Sequence, residues 1–198
     1  MIHSIFPTLI HNFTVDDYPS IKDKLIEFVY EEQRKDPTGR DISNLGGWQS
    51  NIFHDRKNIL FNTVQEAVLK YFSTNRIFST ELIMDIDSIW VNINKKGDCN
   101  QIHGHNFSDM SGVFYLKTSE DCGQLEFLSP NAYVQCKELE WYNRELCKET
   151  SFYATCRMIV KESQIFLFPS SLMHKVYPNQ TDNDRISSSF NIKLYKNR

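Results

Sequence analysis

With 198 residues, 40% of them hydrophobic and 13% aromatic, the chain is long enough for one substantial core and short for two. A formal charge of -3 argues against duplex nucleic acid as a partner, because neutralising phosphates takes concentrated Lys and Arg. The five cysteines (Cys99, Cys122, Cys136, Cys147, Cys156) are odd in number and lack a Cys-x-x-Cys pair, which indicates neither a disulfide framework nor a zinc knuckle and fits a reducing compartment.

Met1 to Leu9 has no basic stretch ahead of an apolar run, and no window has the apolar length to span a bilayer, so a cytoplasmic protein with no membrane partner is expected. Ile2 to Phe6 reads as a short strand. Asp16, Asp17 and Pro19 supply helix-start chemistry before Ile21, Leu25, Phe28 and Val29 recur at helical spacing, a helix that should end before Asp36-Pro37-Thr38-Gly39. Val64, Ala67, Val68 and Tyr71 mark a second helix over Asn62 to Phe72. Between them, Gly46-Gly47-Trp48-Gln49-Ser50 reads as an aromatic anchor beside glycine turns, with a pocket-lining loop as the rarer alternative.

From Glu81 the chain changes to short runs of Ile, Val, Phe and Tyr bounded by Gly, Asn, Asp and Pro. Strands are expected over Leu82–Ile93, Gln101–His105, Gly112–Lys117, Gln124–Phe127, Thr155–Val160, Gln164–Phe168, His174–Tyr177 and Arg185–Leu194. Asn131 to Ser151 is charged and less periodic, a loop excursion with some local structure. Its Trp141-Tyr142 pair reads as local packing, with a substrate-covering flap as the alternative. The strand count suits a double-stranded β-helix, and the expected organisation is a single domain over 1–198, with 1–80 as helical support and 81–198 as the mainly β core.

Within that core, His103 and His105 are two residues apart, so on one strand both rings project from the same face, and His174 can close a metal site. Arg185 offers a permanently charged fork suited to a carboxylate, and Ser187, Ser189 and Asn191 share its face if Arg185 to Leu194 is extended. Trp90, Asn92 and Asn94 line one face of the strand before them, where Asn92 or Asn94 can face a metal cavity, while a turn with Gly97-Asp98 explains Asn94 equally well. Single histidines at His3, His11 and His54 read as ordinary polar side chains, and Cys99 as a plain small residue.

Taken with their flanks, Asn100-Gln-Ile-His103-Gly-His105, Ser111-Gly-Val-Phe-Tyr115-Leu, Gly123-Gln-Leu-Glu-Phe127, Phe168-Pro-Ser-Ser-Leu-Met-His174 and Arg185-Ile-Ser187-Ser-Ser-Phe-Asn191 resemble the Fe(II)/2-oxoglutarate-dependent oxygenases, in a bacterial and phage branch related to prolyl 4-hydroxylases. The resemblance covers roughly Trp90 to Leu194. It implies a cupin-like jelly roll, buttressed here by the N-terminal helices, and an enzyme that couples oxidative decarboxylation of 2-oxoglutarate by O₂ to substrate oxidation, most often hydroxylation. On that resemblance His103 and His174 hold Fe(II), and Arg185, Ser187 and Tyr115 meet 2-oxoglutarate, with Asn92 added as a cosubstrate contact from its place on the strand face. The position after His103 that is commonly acidic holds His105, which makes His105 the favoured second ligand and Asp109 the alternative.

Two other readings compete: a three-His cupin dioxygenase that needs no 2-oxoglutarate, and a non-catalytic jelly-roll module that binds a metal or small ligand. The substrate class, small molecule or peptidyl residue, does not follow from the sequence.

Overall fold

The computed structural model describes residues 3, 5–77, 82–131 and 144–196. In chain order they form β1 (His11–Thr14), α1 (Tyr18–Lys35), β2 (Asn44–Leu45), β3 (Trp48–Gln49), α2 (Ile59–Asn75), β4 (Leu82–Asn94), β5 (Cys99–His103), β6 (Met110–Lys117), β7 (Leu125–Leu128), α3 (Arg144–Thr150), β8 (Thr155–Met158), β9 (Gln164–Pro169), β10 (His174–Val176) and β11 (Arg185–Lys196).

The eight strands expected from Leu82 onward are all present. The N-terminal strand is not where it was expected: His3, Ile5 and Phe6 are in no strand, and Phe6 is 91% exposed with φ 59°. The first strand is instead β1, whose backbone finds a partner in β9 from His11↔Leu167 to Thr14↔Gln164. An apolar run without such a partner leaves its backbone groups to water.

α2 starts earlier than its apolar stripe, because the Asn58 side chain accepts a hydrogen bond from Phe61 N at 2.8 Å and caps the helix. The local structure expected within Asn131 to Ser151 is α3, with Cys147 buried. Trp141 and Tyr142 lie outside the described residues. The Gly46-Gly47 pair, at φ 69° and 71°, turns the chain between β2 and β3.

The strands make two antiparallel sheets, in the orders β1-β9-β6-β11-β4-β3 and β2-β5-β10-β7-β8. β11 lies between β4 and β6, with alternate residues on opposite faces. Ile186, Phe190 and Ile192 join the core under the helices, with Leu25, Val29, Leu60, Val64 and Val68. Burying each of these large side chains stabilises the fold by about 1.5–3 kcal/mol. The Tyr18 hydroxyl, donating to Leu116 O, ties α1 to β6.

The other face of β11 carries Arg185, Ser187, Ser189 and Asn191 and looks toward the second sheet. A smaller core there includes Tyr115, Leu125, Phe127, Phe166, Phe168 and Leu172. Two facing antiparallel sheets in this order are a double-stranded β-helix with helices against one face. No helix of the described residues is long and apolar enough to cross a membrane.

Candidate metal centre and anion pocket

β5 and β10 run side by side with His103 directly opposite His174. Their ring centroids are 4.3 Å apart, and His105 stands 5.1 Å from His103 and 5.4 Å from His174. The potential ligand atoms of these three residues lie within 4.8 Å of one another, and they are the only such cluster among the described residues. His105 does not arrive by strand alternation: β5 ends at His103, and His105 follows in a loop held by its backbone N–H donating to Ser170 O at 2.8 Å.

Two of the rings are set by backbone carbonyls. His103 Nδ1 lies 2.7 Å from Gln101 O and His174 Nδ1 lies 2.8 Å from Leu172 O, so each Nδ1–H donates and each Nε2 lone pair is left for a metal. Burial lowers the pKa of all three rings, to about 4 for His105 and about 3 for His174, and for these two the neighbouring imidazoles add to the effect. All are neutral at pH 7, the form that binds metals.

Asp109, the alternative ligand, is committed elsewhere. Its carboxylate accepts the Leu194 backbone N–H at 2.8 Å, and its own backbone bonds to Ile192 and Ser170, so it ties the end of β11 to the loop before β6. The histidines at positions 3, 11 and 54 stay out of the cluster. His11 faces the Tyr71 hydroxyl at 3.2 Å.

The polar face of β11 is buried at Arg185 and Ser187 and half-buried at Ser189 and Asn191. Across the sheet Ser187 sits between Asn92 and Tyr115, and Arg185 faces Asn94. Arg185 is 1% exposed: its Nη1 donates to Cys122 O at 2.6 Å and Tyr177 O at 2.9 Å, while Nη2 has no partner. The Tyr115 hydroxyl, Asn92 Oδ1 and Asn94 Oδ1 are likewise buried without a partner.

An unpaired buried polar atom costs about 1–3 kcal/mol, so four in one region mark a place built for a ligand. The guanidinium and hydroxyl are donors, and the guanidinium is a fixed cation, so the ligand they suit is an anion. Burial lowers the guanidinium pKa and raises the phenol pKa, the cost of holding this pair dry.

Sequence reasoning placed Arg185, Ser187, Tyr115 and Asn92 here but passed over Gly123. Its φ of 95° and the absence of a side chain leave room for the Arg185 guanidinium, since a Cβ there would collide with Arg185 Nη1 and Tyr177 O. A lone Gly-Gln pair before a strand carries no signal of that. Asn94, weighed equally with a turn role, is the partner of Arg185 across the ladder.

The histidines lie between two hollows. A narrow inner cleft of about 40 Å³ is lined by the three histidines with Asn92, Ser187 and Leu125. An outer cavity of about 340 Å³ meets His103, His105 and Trp90 from the other side. A further groove, about 880 Å³ between Thr118 and Gln180, touches none of the three histidines.

Residues 88–191, just over half the chain, match the family model of the 2OG-Fe(II) oxygenases. No curated protein matches the sequence. Among solved structures, the chain is similar to a Pseudomonas putida prolyl-4-hydroxylase at 11% identity and TM-score 0.64, over 94% of this chain and 92% of that one. It is similar to the viral collagen prolyl hydroxylase of Paramecium bursaria Chlorella virus-1, solved with 2OG, at 13% identity and TM-score 0.59, over 92% and 94%. Streptomyces hygroscopicus HygX, solved with nickel, 2-oxoglutarate and hygromycin B, aligns at 11% identity and TM-score 0.61, over 94% and 83%. At such identities the likeness is one of fold.

Proposed function

The chain belongs to the 2OG-Fe(II) oxygenase family, and from that premise we propose that His103, His105 and His174 hold the iron and that Arg185, Tyr115 and Ser187 hold 2-oxoglutarate in a hydroxylase. The observation that carries the reading is the pairing of the three-nitrogen cluster with the unpaired Arg185 Nη2 and Tyr115 hydroxyl behind it. A metal site alone explains the first and a structural arginine explains neither orphan donor.

The iron, when bound, supplies activation of O₂ and oxidative decarboxylation of 2-oxoglutarate coupled to substrate oxidation. The chain supplies placement. The Gln101 and Leu172 carbonyls orient His103 and His174, and the β4-β11-β6 ladder sets Ser187 between Asn92 and Tyr115 and Arg185 beside Asn94. Arg185 grips the far carboxylate through its free Nη2, with Tyr115 donating a second hydrogen bond, in a water-poor pocket where charge-assisted bonds are strong.

Three neutral imidazoles leave the metal one unit more positive than two imidazoles and a carboxylate, which favours a dianionic cosubstrate. A three-His dioxygenase without 2-oxoglutarate gives Arg185 and Tyr115 no task. Anaerobic titration of the metal-free protein with Fe(II) and then 2-oxoglutarate tests the reading: a visible charge-transfer band of the chelate is expected, and its absence from folded protein overturns it.

A further inference from the structure

The outer cavity is rich in unpaired donors and poor in negative charge. Arg40, Gln49, Trp90, Gln101 and Asn191 line it together with His103 and His105, and among the described residues no Asp or Glu does. Among the described residues Arg40 is therefore the one formal charge on its wall. Its backbone is pinned, with N–H donating to Gln49 O at 2.8 Å and the carbonyl accepting from Asn44 Nδ2 at 3.3 Å, while its guanidinium has no ion pair among the described residues. The nearby Asp36 carboxylate is already taken by Gly39 N at 3.2 Å and Asn51 Nδ2 at 3.0 Å.

Gln49 is the second observation. It is only 6% exposed, and its side-chain amide has no hydrogen-bond partner among the described residues although β3 holds it against Asn92 of β4. The Trp90 indole N–H is unpartnered in the same sense. Asn191, by contrast, is already occupied by Ser111 and Ser88. Unpaired donors open to the cavity beside the exposed Arg40 cation suit an anionic acceptor, and the neutral histidine set adds no negative charge to repel one.

We propose that the primary substrate is a small carboxylic acid, bound in the outer cavity with its carboxylate on Arg40 and Gln49 and its apolar body against Trp90 and Ile52. A planar carboxylate matches the guanidinium fork two bonds at a time, and the cavity's 340 Å³ suits a small molecule. The inference rests on the oxygenase reading, since it treats the histidine cluster as the reacting end of the cavity.

Ligand-observed saturation-transfer NMR on the protein loaded with Zn(II) and 2-oxoglutarate tests it. The probes are phenylacetate, indole-3-acetate and N-acetylleucine against their primary amides, with phenyl phosphate added. Acids are expected to bind at least about tenfold tighter than their amides to the wild type, to lose that preference in Arg40→Gln and to keep most of it in Arg40→Lys, with 2-oxoglutarate binding unchanged throughout. No acid binding, equal binding of acids and amides, or a preference that survives Arg40→Gln overturns the proposal, and tighter phenyl phosphate overturns the carboxylate assignment. Loss of the 2-oxoglutarate signal in the wild type instead strikes the oxygenase reading.

Discussion

His103 on β5 and His174 on β10 stand directly opposite one another, 4.3 Å between ring centroids, although they are far apart in sequence. One antiparallel ladder thus delivers two ligands to a single point, and the loop at the end of β5 delivers the third. His103→Ala and His174→Ala should each abolish detectable Fe(II) binding, and His105→Ala should weaken it at least about tenfold. Asp109→Ala should leave metal affinity intact and cost about 1 kcal/mol of stability through the lost hydrogen bond to Leu194 N. Metal titration beside chemical denaturation of the same variants separates the two; loss of Fe(II) affinity in Asp109→Ala would return that carboxylate to the ligand set.

Tyr115→Phe removes a buried hydroxyl that has no partner among the described residues. The variant should be as stable as the wild type or more so without 2-oxoglutarate, yet bind it about tenfold to a hundredfold more weakly, the worth of one hydrogen bond to a charged group. Thermal melts with and without 2-oxoglutarate should show the opposite signs, and an equal drop in both states would make Tyr115 a structural residue.

Arg185→Ala should weaken 2-oxoglutarate far more than Fe(II), because its guanidinium belongs to the anion pocket and touches no histidine. Equal weakening of both, measured by the same anaerobic titration, would sink that role.

Gly123→Ala should disturb the same pocket from behind. The new Cβ has to occupy space held by Arg185 Nη1 and Tyr177 O, at a φ of 95° that side chains rarely adopt. A loss of about 1–3 kcal/mol in stability is expected, with a larger fold loss in 2-oxoglutarate affinity than in Fe(II) affinity. Unchanged cosubstrate affinity in a folded variant would count against the packing argument.

Glu126 sets a pH dependence. Burial pushes its carboxyl pKa up, but hydrogen bonds from Arg157, Lys175 and Tyr177 outweigh this and hold it below the ordinary 4.5. A carboxyl lowered in the folded state contributes stability that is complete above its unfolded pKa and is lost as pH falls through the folded value. Denaturant midpoints should therefore drop below about pH 4.5, and Glu126→Gln should flatten that part of the profile.

Much of this was legible in the sequence because strand alternation is local. The run Arg185 to Leu194 declares by its period that Arg185, Ser187, Ser189 and Asn191 share a face, and β11 bears that out. The helices announce themselves in the same way through Leu25 and Val29, and through Val64 and Val68. Where a run needed a distant partner the reading failed: Ile2 to Phe6 is apolar enough for a strand, but β9 pairs with His11 to Thr14 instead.

By itself the sequence determined the residue types and their order: three histidines with neutral nitrogen donors, an arginine two residues before a serine, and an acid-free position where a carboxylate ligand is common. Only the tertiary structure decided which of them meet. His105 joins the cluster through Ser170, across a separation no local pattern encodes, and Asp109 is drawn away to Leu194. Whether the polar face of β11 was wet or dry also depended on the second sheet closing over it. That closure leaves Arg185 and Tyr115 with unpaired donors, because burial removes their water and the fold supplies no other acceptor.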